Sequence, residues 1–376
     1  MVRRWIAACM ALLAAAAHAG NEGVTPTEIR LGSSQVLTGP LGPQTLQYGE
    51  GARLLFDAVN AAGGIHGRQI RFTSLDDGFD VQRAVNNTRQ LIEEQKVFML
   101  FNSSGTAHTA AVLPMLQASQ TILFGPVTGA SSMRERVHPY LFHVRASYAN
   151  EAEKMVSQIK QIGVNRLAVF YQDDAFGQAL LAEVRKASAS QNLPLVAEVK
   201  VNPAAPDFAA AAAATAQANP QAVILGTAGQ TFPNYVKAVL ATPSRPVFYG
   251  FSVASLDVIK RELGDKARGI ILAQIMPSLR NTTVPVVSEY LSLLRTKSPD
   301  AAPSASQFEG FVHARLLVEG LRRTGRDLST ASFTRTLENA GEIAFGRFKA
   351  RYSPQSHNGS DYVELAIIDG QGQLRY

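Results

Sequence analysis

The 376-residue sequence predicts an α/β protein made of two halves, each with a doubly wound parallel sheet. Short apolar runs alternate with helical patterns about every 20–25 residues, which is the rhythm of strand–helix–strand units. The pattern stops near residue 144 and restarts with a helix that contains Ala152, and the last segment has to return to one half or both. This arrangement predicts a hinged molecule with two lobes and a cleft between them.

The first half begins with a strand and contains helices with one apolar face. Strands are predicted at residues 29–35, 69–75, 97–101 and 121–124, and a strand at 140–144 leaves this half. A helix is predicted at residues 45–62. Its apolar residues recur at helical spacing, namely Ala52, Leu55, Phe56 and Val59. This helix ends before Gly63, because glycine adopts a left-handed cap without steric strain.

The second half repeats the alternation. Its strands are predicted at residues 166–171, 195–199, 222–225, 247–249 and 269–274. Its helices are predicted at residues 176–190, at 208–218 and, after the strand at 222–225, in a segment that ends at Leu240. The alanine tract in the second of these favours an ordinary helix, because alanine is the best helix former and Asp207 can cap its start. The remaining predicted elements are helices at 286–296, 308–323 and 330–339, and strands at 362–368 and 373–376.

Residues 1–19 have the pattern of a cleaved secretory signal peptide. Two arginines precede an apolar run, which ends in the small-residue sequence Ala17-His18-Ala19. The run is too short to span a membrane, and no later segment is as long. The only cysteine, Cys9, lies in this leader, so we expect an exported periplasmic protein without disulfides.

The charge pattern and the motifs exclude several classes of function. The formal net charge of +6 includes Arg3 and Arg4 of the leader, and the remaining Lys and Arg are scattered, which argues against a nucleic-acid partner. No phosphate-binding loop or Gly-x-Gly-x-x-Gly motif occurs, and the histidines are dispersed. The sequence therefore predicts no nucleotide cofactor and no metal site.

The segment from Val97 to Leu116 is the best candidate for a binding site. Its apolar run breaks into Asn-Ser-Ser-Gly-Thr, and a helical pattern follows at once. The first backbone N–H groups of a helix lack partners inside the helix, and the helix dipole favours an anion there. Ser103, Ser104 and Thr106 add hydroxyl donors. The pattern predicts a seat for a carboxylate, and an ordinary helix cap without a ligand is the alternative.

Five motifs, taken in order, carry a resemblance to a known family. They are LTGP at 37–40, DAVNAAGGIHG at 57–67, DD at 76–77, QDDAFG at 172–177 and FEGF at 308–311. In this order they resemble the type I periplasmic binding proteins of the leucine/isoleucine/valine-binding kind, which are solute receptors of branched-chain amino-acid ABC importers. The resemblance runs from about residue 28 to the C-terminus.

The resemblance implies two lobes joined by three hinge crossovers, near Arg145, near residues 274–276 and near residues 352–357. The implied first lobe comprises residues 24–145 and 276–352, and the second comprises residues 146–275 and 353–376. The resemblance also implies a monomer that captures a small carboxylate or amino acid by lobe closure and delivers it to an ABC permease in the inner membrane.

The resemblance further implies roles for individual residues. Ser103 matches the position whose hydroxyl binds the ligand's carboxylate, and Thr128 or Gly129 matches a carboxylate-binding threonine. Val127 matches a position that offers its backbone to an amino group. Phe176 matches an aromatic wall of the second lobe.

Three positions depart from the family's pattern. Gln44 and Ala228 stand where the family often has aromatic residues. Ser252 stands where amino-acid binders carry a glutamate for the ligand's ammonium, and a neutral hydroxyl cannot supply that charge-assisted bond. We therefore expect weak or no binding of leucine, isoleucine and valine. Two alternatives remain: a second-lobe acid holds the ammonium (Glu151, Asp173 or Asp174), or the ligand is a carboxylate or amide with no amino group.

Two other classes of function remain open from the sequence. The segment from Gly250 to Ala254 is similar to the nucleophile elbow of serine hydrolases, with Ser252 as the nucleophile, although the usual last glycine is alanine. A triad then needs an acid and, after it, a histidine. The available acids are Asp257, Asp265 and Asp300, and the downstream histidines are His313 and His357. The other class is a periplasmic sensor that reports ligand occupancy to a signalling receptor. A binding receptor without enzymatic activity is the prediction.

Overall fold

Two sheets form the frame of the protein in a computed structural model, which describes residues 22–39 and 41–376. The predicted signal peptide lies outside the described residues. The first sheet consists of β1 (Glu28–Gln35), β2 (Gln69–Asp76), β3 (Met99–Phe101), β4 (Ile122–Phe124) and β5 (Leu141–Phe142). Its strands are all parallel, in the order β2-β1-β3-β4-β5.

The second sheet has a parallel centre and an antiparallel edge. Its parallel strands are β6 (Leu167–Gln172), β7 (Leu195–Val201), β8 (Ala222–Gly226), β9 (Val247–Gly250) and β10 (Ile271–Gln274). A separate hairpin follows, formed by β11 (Glu342–Phe345) and β12 (Phe348–Arg351). The C-terminal strands β13 (Glu364–Ile368) and β14 (Leu374–Arg375) then extend the second sheet in antiparallel pairing, in the order β14-β13-β10-β9-β8-β6-β7.

Within the described residues the α-helices are α1 (Gly42–Ala61), α2 (Val81–Arg89), α3 (Thr106–Ser119), α4 (Tyr148–Gln161), α5 (Ala175–Ser190), α6 (Phe208–Ala218), α7 (Thr231–Leu240), α8 (Leu256–Leu263), α9 (Pro285–Lys297), α10 (Ala305–Thr324) and α11 (Thr330–Asn339). The predicted apolar face of α1 is buried throughout. The doubly wound α/β fold with two sheets is confirmed.

The chain passes between the two sheets three times. It leaves the first sheet after β5, and after β10 it returns to helices α9–α11, which share a hydrophobic core with the first sheet. It crosses once more between β12 and β13. The sequence-based lobe boundaries remain a prediction. No helix of the described part is both long and apolar enough to cross a membrane.

A close contact between α1 and α10 stabilises the first half. A side chain on Gly51 would begin 1.8 Å from the Gln307 carbonyl oxygen, and one on Gly310 would begin 2.0 Å from the Tyr48 carbonyl oxygen. Both helices therefore need glycine at the crossing, because no larger residue fits between the two backbones. This contact holds Gln44 and Tyr48, near the start of α1, in place above the sheet.

Candidate functional site

A cavity of about 70 Å³ lies between the two halves. Six of the residues predicted for the site line it, namely Gln44, Ser104, Thr106, Val127, Phe176 and Ala228. The first four belong to the half that contains the first sheet, and the other two belong to the half that contains the second. The cavity is therefore a meeting point of both halves, as the sequence-based model of a cleft requires.

The anion-binding end of the cavity is the junction between β3 and α3. Gly105, at φ 99°, is the N-cap residue of α3, and no side chain caps the helix. Gly105 and Thr106 both line the cavity, so the uncapped helix start lies in its wall. The Ser104 hydroxyl also lies there, and it has no hydrogen-bond partner although the residue is only 4% exposed. Uncapped N–H groups and a buried, unpaired hydroxyl form a site suited to an anion.

Ser103, Thr128 and Gly129 lie behind this wall. The Ser103 Oγ accepts a hydrogen bond from the Ser34 backbone N–H at 3.4 Å, and Ser103 does not line this cavity, whereas Ser104, also predicted for the site, lines it with an unpaired hydroxyl. The Thr128 Oγ1 lies 2.9 Å from the Thr106 Oγ1 and fixes that side chain. A Cβ on Gly129 would lie 2.5 Å from the Tyr148 ring. These residues thus position groups that line the cavity.

Aromatic rings form much of the remaining wall. The ring of Phe176 packs edge-on against that of Tyr148, with centroids 6.0 Å apart. Phe176 follows the N-cap Asp174, whose carboxylate accepts the Gly177 N–H at 2.8 Å and so orients the start of α5. The aromatic residues that sequence reasoning missed are Tyr48, Phe79 and Tyr148. Their local patterns resemble those of ordinary helix and loop residues, so only the packing reveals them.

Gln172, at the end of β6, stabilises the part of the cavity wall that the second half contributes. Its Oε1 accepts hydrogen bonds from the Thr227 hydroxyl at 2.6 Å and the Ala228 N–H at 3.0 Å. These bonds tie the end of β6 to the loop after β8, and Ala228 leaves that part of the wall without an aromatic ring. Gln172 belongs to the QDDAFG motif, which is the signal in the sequence that pointed to this region.

A direct hydrogen bond closes the cavity on one side. The Gln44 Nε2, from α1, donates to the carbonyl oxygen of Val253 at 2.9 Å. Val253 follows β9 in the second half, so this bond joins the two halves across the cleft. Beyond it, Gln47 and Ser252 line a second and larger cavity of about 290 Å³.

Comparison with known proteins decides the family. The family model described as "Periplasmic binding protein" matches residues 28–373. The chain belongs to the periplasmic binding protein family. This membership confirms the sequence-based resemblance and a solute-binding role.

Solved structures and curated relatives agree with this assignment. An extracellular ligand-binding receptor from Verminephrobacter eiseniae is 29% identical with a TM-score of 0.87, and the match covers 93% of this chain and all (100%) of that one. A possible leucine/isoleucine/valine-binding protein from Rhodopirellula baltica is 25% identical with a TM-score of 0.84, over 94% of this chain and 98% of that one. Leu/Ile/Val-binding protein homolog 3 of Brucella melitensis is 23% identical over 57% of this chain, a match that spans 58% of that relative's length. The match to an amino acid binding protein of Pseudomonas aeruginosa, 24% identical, spans 40% of this chain and 43% of that relative.

In this family member, Ser252 belongs to a buried charged cluster. Its backbone N–H and its Oγ both donate to the Glu151 carboxylate, at 2.7 and 3.0 Å, and Arg145 donates to the same Oγ at 2.6 Å. Arg145 also lies 3.8 Å from the Glu151 carboxylate and 3.5 Å from that of Glu309. Arg145 therefore links an acid on α4 to an acid on α10 at the first passage between the halves.

Burial sets the protonation of this cluster. It raises the pKa of Glu151 to about 7, although Arg145 acts in the opposite direction. It also raises the pKa of Glu309. Burial lowers the pKa of His313 to about 3, helped by Arg145, so this histidine is neutral. For Arg145, burial favours the neutral form, but Glu309 and the other nearby groups outweigh it and raise its pKa.

The other two acids considered for an ammonium are engaged elsewhere. Asp173 accepts a 2.7 Å bond from the exposed Lys200, and this hydrogen bond lowers the pKa of Asp173. Asp174 caps α5. Neither carboxylate lines the cavity of about 70 Å³, and Glu151 does not line it either.

The hydroxyl of Ser252 has no histidine partner among the described residues. Its partners are Glu151 and Arg145. The His313 Nδ1 lies 2.6 Å from the Asn102 Oδ1, and the His357 Nε2 lies 3.1 Å from the Glu338 Oε1. The geometry of a Ser–His pair is thus not formed at Ser252. Within residues 22–39 and 41–376, no group of three or more His, Cys, Asp or Glu side chains is arranged to hold a metal.

Proposed function

We propose that this protein is a periplasmic solute receptor of an ABC importer, which captures a small ligand carrying a carboxylate between its two lobes. The observation that carries the proposal is the unpaired, buried hydroxyl of Ser104 beside the uncapped start of α3. A buried donor without a partner costs stability, and a ligand oxygen offsets that cost. The predicted signal peptide supports periplasmic export, and the family resemblance supports the importer.

The carboxylate docks first on the half that contains α3. There the N–H groups at the helix start and the Ser104 hydroxyl donate to its oxygens, and the helix dipole adds a favourable field. Thr128 acts indirectly, through its 2.9 Å contact with Thr106. Ser103 has a supporting role in this proposal, since its hydroxyl is already engaged by Ser34.

The second lobe then closes over the bound ligand. Closure brings Phe176 and Ala228 against the part of the ligand that points away from α3, and it forms the Gln44–Val253 hydrogen bond. Because a ligand shifts an equilibrium only through contacts that differ between the two states, these second-lobe contacts are what drive closure. The closed surface is the one that the permease recognises.

A thermal-shift screen of the mature chain, lacking residues 1–19, tests the proposal. The panel contains small aliphatic and aromatic carboxylates, amino acids and the matching amides. We expect carboxylates to raise the melting temperature in a saturable way, because a ligand that binds the folded state stabilises it by mass action. Small-angle scattering with the best compound then shows a smaller radius of gyration. Stabilisation by amides alone, or an unchanged radius, contradicts the proposal.

An uptake assay separates an importer from a sensor. A strain that lacks the gene takes up the labelled ligand more slowly if the protein feeds a permease, and complementation restores uptake. Unchanged uptake together with lost transcriptional response to the ligand supports the signalling role instead.

A further inference from the structure

We infer that the ligand is a carboxylate whose neighbouring carbon carries no ammonium group, so that the site selects des-amino acids over the α-amino acids of the same skeleton. This inference rests on the proposed function, because it concerns the same cavity. It goes further by naming the ligand class, and the structure supports it through the charges and hydrogen bonds around the cavity.

The first step is the absence of charge in the wall. Among the described residues that line the cavity of about 70 Å³, none is Asp, Glu, Lys or Arg. An ammonium group brings a full positive charge and three donors. Burying such a group without a carboxylate partner is strongly unfavourable. A carboxylate fits the same wall, because the helix start and the Ser104 hydroxyl supply donors.

The second step concerns three neutral acceptors in the wall that already accept hydrogen bonds. The Gln172 Oε1 accepts two hydrogen bonds, from Thr227 and Ala228. The carbonyl oxygen of Val253 accepts the Gln44 amide, and that of Val127 accepts the Gly105 N–H at 3.3 Å. These three oxygens already have donors, whereas the Ser104 hydroxyl and the start of α3 offer donors without side-chain partners, so the wall favours a carboxylate over an ammonium.

The third step concerns two buried carboxylates just outside the wall. Glu151 lies one turn after Tyr148 on α4, and both of its oxygens accept hydrogen bonds from Ser252. Asp77 precedes Phe79 by two residues, and its oxygens accept bonds from the Ser34 hydroxyl at 2.7 Å and the Phe79 N–H at 3.0 Å. Neither carboxylate reaches the cavity without breaking these buried bonds.

The fourth step concerns the aromatic wall, since an aromatic face also stabilises a cation. The guanidinium carbon of Arg145 lies 5.9 Å from the centroid of the Tyr148 ring. Phe79 stacks on His108 with ring centroids 4.8 Å apart. Two of the aromatic rings in the wall therefore already pack against another group, and beside Tyr148 that group is itself a cation.

Matched ligand pairs test the inference by calorimetry. Each pair shares a carbon skeleton: 3-methylbutanoate with valine, 4-methylpentanoate with leucine, and 3-phenylpropanoate with phenylalanine. We expect the des-amino acid to bind at least 100-fold more tightly than the amino acid in each skeleton that the cavity accommodates. Equal or tighter binding of an amino acid in any pair overturns the inference, and so does a lack of binding by all three des-amino acids.

The amides of the same skeletons distinguish the inference from the proposed function. If an amide binds as tightly as its acid, then the carboxylate grip at α3 is wrong, and the proposed ligand class fails with it. If the acid binds more tightly than the amide but less tightly than the amino acid, the proposed function stands and only the inference fails.

A substitution in the cavity wall provides an independent test of the inference. Ala228 lines the cavity in the second half and is partly exposed, so Ala228→Asp adds a carboxylate with little disturbance of the core. We expect Ala228→Asp to shift the ratio of amino-acid to des-amino-acid affinity at least tenfold toward the amino acid. Ala228→Asn has the same shape without the charge and should leave that ratio unchanged. An equal shift in both variants, or none in Ala228→Asp, argues against the missing carboxylate as the cause.

Discussion

The Gln44 side chain of α1 donates a 2.9 Å hydrogen bond to the Val253 carbonyl oxygen, which lies beyond β9 in the other half of the molecule. Both residues line the candidate ligand cavity, so this bond forms part of its boundary. It joins two segments 209 residues apart in the chain. A bond between a side chain of one lobe and the backbone of the other exists only when the lobes are close together.

Replacing this glutamine should weaken ligand binding. In Gln44→Ala, closure leaves the Val253 carbonyl without its donor, so we expect a loss of about 1 kcal/mol, or about fivefold in affinity. Calorimetry measures the affinity, and small-angle scattering measures the closed fraction. Gln47→Ala is the matched control, because Gln47 lies one turn later on α1 and bonds to Ser304 within the same half. If both variants lose affinity equally, the bond across the cleft is not the cause.

Substitutions of the adjacent residues Ser103 and Ser104 should distinguish a hydroxyl that binds the ligand from one that bonds within the protein. Ser104→Ala should weaken carboxylate binding by about 1–3 kcal/mol, because one donor to a buried charge is lost. The stability of the unliganded protein should not fall, since the Ser104 hydroxyl has no partner there. Ser103→Ala should show a smaller loss of affinity, because its hydroxyl bonds to Ser34. A larger loss in Ser103→Ala than in Ser104→Ala would instead support Ser103, the position that the family resemblance implies, as the carboxylate ligand.

The buried Glu151 should make stability depend on pH. Its folded-state pKa of about 7 exceeds the ordinary value of 4.5, so its stabilising contribution is complete below about pH 4.5 and is lost as the pH rises through about 7. In Glu151→Gln this titration is absent. The wild type should therefore lose about 3 kcal/mol of unfolding free energy relative to Glu151→Gln as the pH rises from 4.5 to 8.

Chemical denaturation of both proteins across this pH range measures the difference, and the contributions of other titrating groups cancel in it. Glu153→Gln is the control, since Glu153 is exposed on the same helix. A difference between Glu151→Gln and the wild type that stays constant with pH contradicts the raised pKa.

The close crossing of α1 and α10 predicts that alanine in place of Gly310 destabilises the protein. In an exposed helix, alanine stabilises by about 1 kcal/mol relative to glycine. Gly310→Ala should instead destabilise by at least about 2 kcal/mol, because its Cβ would lie 2.0 Å from the Tyr48 carbonyl oxygen and force the helices apart. Urea denaturation measures the change. Gly370→Ala is the control, because a Cβ there has no neighbour within 4 Å. A neutral or stabilising Gly310→Ala would show that the crossing is looser than described.

Local patterns were sufficient to predict the fold class, most of the elements and several residues that line the candidate cavity. The helical spacing of apolar residues identified the buried face of α1, and the break after residue 101 identified the start of α3. These features depend on residues close together in the chain, whose periodicity reflects which face of an element is buried. The hairpin β11–β12 was not among the predicted strands.

Contacts between distant segments were decided by the tertiary structure alone. Whether Ser103 or Ser104 faces the cavity depends on the path of the chain beyond β3, where Asn102 has a φ of 56° and Ser104 pairs with Val127. The antiparallel return of β13 and the engagement of Glu151 by Ser252 likewise join segments far apart in sequence. The sequence by itself therefore determined most of the elements, the apolar face of α1 and the family. The tertiary structure decided which polar groups meet, because a buried donor or acceptor is paired by whatever segment the packing brings to it.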